Sequence, residues 1–180
     1  PFLFLYTCLF HTLFSNPYLN LPKSRQKMKL TLNPVFRDHL RTEISDIKLY
    51  VQNWLKRHPQ GDIYVGCDSK VRGSRVKYST VVCLWDVGNG VSEIYKNEVT
   101  PAPPDSYTRL WNEVTRAVDT AEYLKELGRI TVHVDINSNP KFRSHQLYDA
   151  SIGLITSLGF EGAGKPFSWA ASCGAHRHCQ

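Results

Sequence analysis

The chain has 180 residues, of which 42% are hydrophobic and 21% are charged. These values fit one soluble globular domain that can bury a sizeable core, and they exclude a small scaffold dependent on disulfides. The net charge is +6, but residues 1–27 contain three basic residues and no acid, which leaves 19 basic (22 minus 3) and 16 acidic residues. The remaining excess of +3 permits a nucleic-acid partner without requiring one.

The five cysteines form no CxxC pair, which favours a reduced, cytoplasmic protein over a secreted disulfide framework. The first segment is apolar for about 14 residues, shorter than the ~20 that a transmembrane helix needs. It also lacks the basic region and cleavage site of a signal peptide. Because Met28 is the only methionine, we expect residues 1–27 to be a non-native or disordered upstream extension.

The next segment has the apolar spacing of a helix. Asn33-Pro34 is typical of a helix start, and the pattern continues to about Arg57, before a turn sequence. The apolar positions with this spacing are Phe36, Leu40, Ile44, Ile47, Val51 and Leu55. We therefore expect an N-terminal helical segment over 28–60, followed by the main domain over 61–180.

The main domain begins with a predicted three-strand meander over 62–68, 75–87 and 91–99. Asn89-Gly90 suits the tight turn between the last two strands. Asp105 or Ser106 can cap a helix that ends near Gly128.

Strands and helices then alternate. We expect a strand at 130–136, a helix opened by Asn139 and Pro140, a short strand at 160–165 and a last helix from about Ser168. The order β-β-β-α-β-α-β-α predicts an α/β fold: a mixed five-stranded sheet with helices on both faces and an extra N-terminal helix.

Chain direction places four chemically active side chains at one end of this sheet. The first strand and the 130–136 strand run the same way and end in Asp68 and Asp135. The helices that carry Glu113 and His176 both begin at that end. We therefore expect Asp68, Glu113, Asp135 and His176 to form a candidate catalytic centre.

Clustered carboxylates repel one another, so such a site is stable mainly when cations bridge it. Oxygen ligands suit Mg²⁺ and Mn²⁺. Two such ions about 4 Å apart can activate water and stabilise the leaving oxygen in phosphodiester cleavage. Asp68, Glu113 and Asp135 are the predicted ligands of two Mg²⁺ or Mn²⁺ ions.

Three motifs, "VGCDSK", "HVDIN" and "GKPFSWAASCGAH", together resemble the YkuK-type family of the RNase H-like superfamily over roughly residues 62–177. The resemblance implies an RNase H-like fold, divalent metal and a nuclease-type centre with Asp68, Glu113 and Asp135 as its acids. This chain has His176 where the family usually has an aspartate, as RuvC-like relatives can, which puts tight binding of the second metal in question.

Simpler interpretations stay open at this point. Asp68 and Asp135 are also typical of residues that begin turns. Glu113 is alternatively an ordinary surface acid, in which case Asp119 or Glu122 takes its place. His133 shares a strand face with Asp135, and is either a hydrogen-bonded core histidine or a support for that acid.

Two further groups bear on binding. A ring of basic residues is predicted near the acids and suits a phosphate backbone, with solvated turns as the simpler interpretation; its members are Lys70, Arg72, Arg75, Lys141 and Lys165. The C-terminal "CGAHRHC" contains four zinc-type ligands, Cys173, His176, His178 and Cys179.

The leading hypothesis is a metal-dependent nuclease that hydrolyses RNA, DNA or a hybrid by a two-metal mechanism. The first alternative is a catalytically inactive nucleic-acid-binding module with the same fold. The second is a structural or interaction protein that holds zinc at its C-terminus.

Overall fold

The structure is a computed structural model that describes residues 35–180. Seven strands form one mixed sheet in the order β2-β1-β5-β4-β3-β6-β7. The strands are β1 (Phe36–Arg37), β2 (Glu43–Ile44), β3 (Asp62–Arg72), β4 (Arg75–Asp86), β5 (Gly90–Pro101), β6 (Ile130–Asn137) and β7 (Glu161–Lys165). The helices are α1 (Ile47–Arg57), α2 (Ser106–Leu124), α3 (Tyr148–Ser157) and α4 (His176–Cys179), with α4 preceded by a π-helical segment, Ala170–Ala175.

The α/β class, the mixed sheet and the order of its five main strands agree with the sequence. β3, β4 and β5 form the antiparallel meander, and β6 and β7 are added in parallel next to β3. The predicted count of five strands is wrong because β1 and β2 extend the sheet beyond β5, where Arg37 is paired with Tyr95.

Helices cover both faces of the sheet, as expected. Alternate residues of each strand point to opposite faces, and the larger core receives Val51 of α1, Val114 of α2 and Ile155 of α3. On the other face, Val81 and Tyr95 pack against the π-helical segment and Trp169. In the described part of the chain, the C-terminal residues thus cover one face of the sheet, and the three longer helices cover the other.

The N-terminal helix is shorter than predicted. Its start at residues 33–34 lies outside the described residues, but 36–46 are not helical and α1 begins at Ile47. Asp46 caps the helix, because its carboxylate accepts a hydrogen bond from the Leu49 amide at 3.0 Å. Phe36 is buried in the core and is paired with Ile44 across a tight turn. The predicted 1–27 extension and the Met28 start also lie outside the described residues.

Other predicted boundaries shift at strand ends. β3 does not end at Asp68 but continues to Arg72, since β4 remains its antiparallel partner as far as Arg75. The helix predicted from Asn139 begins only at Tyr148, after a 3₁₀ turn over Arg143–Leu147. The Asp105 cap is confirmed, with its carboxylate accepting from the Thr108 amide at 2.8 Å. Among residues 35–180, no helix is long and apolar enough to cross a membrane.

Candidate active site

Asp68 and Asp135 lie side by side on neighbouring parallel strands. The last pair between β3 and β6 joins Cys67 to Val134, and each aspartate is the next residue of its strand. Both positions are inside strands, so the interpretation of these acids as turn-starters is wrong. The two aspartates point to the sheet face that the C-terminal residues cover, because strand side chains alternate and Val65, Cys67 and Val134 belong to the opposite core.

The glycine of "VGCDSK" allows the C-terminal segment to reach Asp68. A Cβ atom on Gly66 would lie 2.6 Å from the amide nitrogen of Ala171, which is closer than any side chain tolerates. The π-helical segment therefore packs directly on the backbone of β3. This contact brings the following residues, His176 and Cys179, over Asp68.

Asp68 is buried, and its carboxylate has one backbone partner and one side-chain partner. Its Oδ1 accepts a hydrogen bond from the Ser69 amide at 2.7 Å, and its Oδ2 lies 2.7 Å from Nδ1 of His176. Nε2 of His176 is 2.8 Å from the side-chain nitrogen of Gln180. An imidazole that donates from Nδ1 and accepts at Nε2 satisfies both contacts. Two of the predicted site residues, Asp68 and His176, thus contact each other directly.

Glu113 reaches the same end of the sheet from α2, on the opposite face. Its Oε1 accepts hydrogen bonds from Ser69 Oγ at 2.5 Å and from the Arg109 guanidinium at 2.7 Å. Burial raises the pKa of Glu113 to about 8, against the lowering effects of Ser69 and Arg109. The charges of Asp68 and Asp135 raise this pKa further, so the three carboxyl groups lie close enough to interact.

Glu113 is therefore not a surface acid. Only 3% of it is exposed, whereas Asp119 and Glu122 of the same helix are on its solvent side. The burial of a carboxyl group is costly even when a guanidinium and a hydroxyl hydrogen-bond to it, as Arg109 and Ser69 do here. This cost points to a role for Glu113 that ordinary packing does not explain.

Asp135 has a cation beside it. Its Oδ1 is buried and lacks a well-aligned hydrogen-bond donor, but the ammonium group of Lys165 lies 2.9 Å away. Lys165 comes from the end of β7, where it is paired in register with Asn137. The predicted basic residue thus neutralises one of the predicted acids.

His133 supports the fold rather than Asp135. It is buried, and its Nδ1 accepts a hydrogen bond from the amide of Ala170 at 3.0 Å. Its ring contacts Tyr64 and Trp169, with ring centroids 5.1 and 5.5 Å away. Burial lowers the pKa of His133 to about 4. The interpretation as a hydrogen-bonded core histidine is confirmed.

Three residues that matter here were missed in the sequence. Ser69 and Arg109 form a triangle with Glu113, since the guanidinium also donates to Ser69 Oγ at 2.7 Å. The spacing of Arg109 four residues before Glu113 was the available signal. Glu93 of β5 holds the C-terminal helix through Arg177 and His178; no local signal marks it.

The C-terminal cysteines and histidines do not converge. Cys173 is exposed, Cys179 is buried with its thiol 3.0 Å from the Asp68 carbonyl oxygen, and His178 contacts Glu93. Within residues 35–180, no three His, Cys, Asp or Glu side chains form a group that could hold a metal ion as placed. The predicted zinc site is therefore unsupported, and the predicted acids are engaged with partners from the chain itself.

The basic residues of the predicted ring are found near this end of the sheet, although Lys70 lies inside β3 and not in the turn that was predicted for it. Arg72 and Arg75 are exposed at the β3–β4 turn, and Lys141 is exposed after β6. Lys70 is exposed beside Asp68 and donates a hydrogen bond to the Gln180 side chain. The end of the sheet that carries the three acids is thus bordered by cations.

The fold and this site define an α/β protein with an acidic centre at one end of its mixed sheet. A family model described as Ribonuclease H-like matches residues 44–180. The chain therefore belongs to the Ribonuclease H-like family, which confirms the superfamily expected from its motifs. No curated protein and no solved structure matched the chain.

Proposed function

We propose that the protein is a metal-dependent nuclease that hydrolyses phosphodiester bonds of nucleic acid. Asp68, Glu113 and Asp135 would hold Mg²⁺ or Mn²⁺, and His176 would assist through Asp68. Membership of the Ribonuclease H-like family supports a function connected with nucleic acid. The identity of the ions, the hydrolysis of phosphodiester bonds and the roles of these residues are what we propose.

The observation that carries the proposal is the buried Glu113 beside two aspartates. Its pKa of about 8 reflects burial and the negative charges of Asp68 and Asp135. Side-chain packing does not require three interacting carboxyl groups. Active sites, by contrast, commonly shift the pKa values of their acids in this way.

The donor chemistry fits a hard divalent cation. Carboxylate oxygens are the ligands that Mg²⁺ and Mn²⁺ prefer, and Oδ1 of Asp135 is a buried oxygen that has the Lys165 ammonium beside it but no well-aligned hydrogen bond. When bound, such ions would activate water and neutralise charge on the phosphate. Lys165 and His176 are the groups that would have to yield, since they contact the two aspartates.

The residues of the chain would divide the remaining work. Arg109 and Ser69 orient Glu113 by hydrogen bonds from two sides. His176, held in one tautomer by Asp68, keeps Nε2 able to accept a proton once it is free of Gln180. Lys70, Arg72, Arg75 and Lys141 would contact phosphates, which fixes register without reading sequence.

A cleavage assay tests the proposal. The full chain is incubated with single strands, duplexes, RNA–DNA hybrids and four-way junctions, each with Mg²⁺, Mn²⁺ or a chelator. Asp68→Asn keeps the size of the side chain but removes its charge, and Asp119→Asn is the matched control on the exposed side of α2. We expect cleavage that requires metal, is lost in Asp68→Asn and persists in Asp119→Asn. Cleavage unchanged by Asp68→Asn would contradict the assignment.

One observation favours a second candidate, the inactive nucleic-acid-binding module. Each acid already has a basic or hydrogen-bonding partner: His176 for Asp68, Arg109 for Glu113 and Lys165 for Asp135. A module of this kind would bind nucleic acid with steep salt dependence and no response to Mg²⁺. Binding without cleavage of any substrate, equal in wild type and Asp68→Asn, would favour it.

A further inference from the structure

Two phenylalanines near the acidic centre are exposed to solvent. Phe142 is 54% exposed and Phe167 is 77% exposed, although phenylalanine is among the residues most often buried. They occupy the loops that follow β6 and β7, the two parallel strands at this edge of the sheet. Packing among residues 35–180 does not explain the position of either side chain.

The backbone of both loops is held by hydrogen bonds. The Phe142 amide donates to Asn139 O at 3.0 Å, and the Phe167 amide donates to Gly164 O at 2.9 Å. Ser138 Oγ joins the loops by donating to the carbonyl oxygen of Lys165 at 3.4 Å. The two aromatic rings are therefore presented from neighbouring loops with defined backbones.

These loops adjoin the proposed catalytic centre. Asp135 lies two residues before the end of β6. Lys165 is the last residue of β7, and its ammonium group lies 2.9 Å from Asp135. In parallel α/β sheets, ligands bind outside the carboxyl ends of the strands. Phe142 and Phe167 thus lie at the edge where a substrate would approach Asp135.

Cations accompany both rings. Lys141 and Arg143 flank Phe142 and are exposed, and Lys165 precedes Phe167 by two residues. Proteins bind single-stranded nucleic acid through this combination, in which aromatic rings stack on bases and basic groups contact phosphates. In a duplex the base faces are covered by their neighbours, so exposed rings on loops have nothing to stack on.

We propose that Phe142 and Phe167 are stacking platforms for unpaired bases, which makes single-stranded or locally unpaired nucleic acid the substrate class. The substrate class rests on the proposed nuclease function. The binding of unpaired bases does not depend on that function, because stacking requires neither metal nor cleavage.

The test is fluorescence anisotropy of a labelled single strand with the full chain in a metal chelator. A strand of equal length that lacks its bases has the same phosphates, and a duplex is the second comparison. We expect wild type to bind the natural strand most tightly. Phe142→Ala and Phe167→Ala should each weaken that binding about tenfold, and leave binding of the base-free strand unchanged.

Two controls separate stacking from other effects. Phe167→Trp keeps an aromatic face and should retain the affinity. Leu40→Ala removes a side chain that is 73% exposed at the distant β1–β2 turn, and should bind like wild type.

Equal affinity of wild type for the natural and base-free strands would overturn the inference, as would no binding, or tighter binding of the duplex. Base-dependent binding without any cleavage would keep the stacking role and overturn only the nuclease. Cleavage of a duplex at a rate that neither phenylalanine substitution changes would support the nuclease function and overturn the stacking role.

Discussion

Ser69 Oγ lies 2.5 Å from Oε1 of Glu113, although β3 and α2 contribute these residues from positions 44 apart in the chain. The hydroxyl also receives a hydrogen bond from Arg109 at 2.7 Å. A serine that directly follows Asp68 thus ties the strand acid to the helix acid. The motif "GCDSK" therefore contains Asp68 itself and also Ser69, which hydrogen-bonds to Glu113.

Glu113 makes the stability of the protein depend on pH. Its pKa is raised from 4.5 to about 8 in the folded protein by burial. The protonated form is therefore favoured by folding, and this contribution is complete below pH 4.5 and lost as the pH rises through 8. We expect the free energy of unfolding to fall over that window in wild type, and to fall less in Glu113→Gln. Urea unfolding at several pH values measures it.

Glu122→Gln is the matched control, since Glu122 is exposed on the same helix. It should keep the wild-type pH dependence. Parallel pH curves for wild type and Glu113→Gln would show that the buried carboxyl group does not titrate as described.

His133 produces the opposite dependence at lower pH. Burial lowers its pKa from 6.5 to about 4, so the contribution of neutral His133 is present above pH 6.5 and lost as the pH falls through 4. His133→Asn keeps an acceptor for the Ala170 amide but cannot titrate. We expect it to flatten the acid side of the stability curve, measured by thermal unfolding; an unchanged slope would contradict the role of His133.

Glu93 is expected to fix the C-terminal helix. Its two carboxylate oxygens contact Arg177 and His178, and the His178 ring stacks on Tyr95 at 3.7 Å. Glu93→Ala leaves both basic groups without this partner and should lower the free energy of unfolding by about 2 kcal/mol. Ser92→Ala, at an exposed neighbouring position, should change little in the same denaturation experiment.

His176 is expected to affect rate more than binding. It contacts Asp68 but is 58% exposed, so its removal costs little packing. If it moves a proton, His176→Ala should lower kcat about a hundredfold with KM nearly unchanged. Cys173→Ala is the matched control, since Cys173 is exposed on the segment that precedes the same helix. A rise in KM alone in His176→Ala would assign His176 to substrate binding.

The sequence predicted elements whose signals are local. Apolar alternation located β3 and β6, and Asp105 located the start of α2, because caps and strand faces depend on neighbouring residues. The spacing of Phe36 and Ile44 suggested a helix, yet these residues face each other across a turn. Their pairing depends on the edge of β5, which lies far along the chain.

For the candidate site as well, the sequence predicted what depends on the order of elements and missed what depends on contacts between distant residues. Chain direction sufficed to bring Asp68, Glu113 and Asp135 to one end of the sheet, since it depends only on the order of the elements. The sequence predicted Lys165 near these acids, but its contact with Asp135 in particular depends on the packing of two strands. The contact of Glu93 with His178 joins residues 85 positions apart and could not be predicted at all.

Metal binding tests the central claim most directly. Isothermal titration of the full chain with Mn²⁺ reports stoichiometry without requiring a substrate. The account predicts saturable binding in wild type that Asp68→Asn and Asp135→Asn each weaken and Asp119→Asn leaves intact. Binding should also release protons near pH 7, because a cation displaces the proton from Glu113, whose pKa is about 8. No saturable binding, or binding indifferent to both aspartate variants, would contradict a metal site in these carboxyl groups.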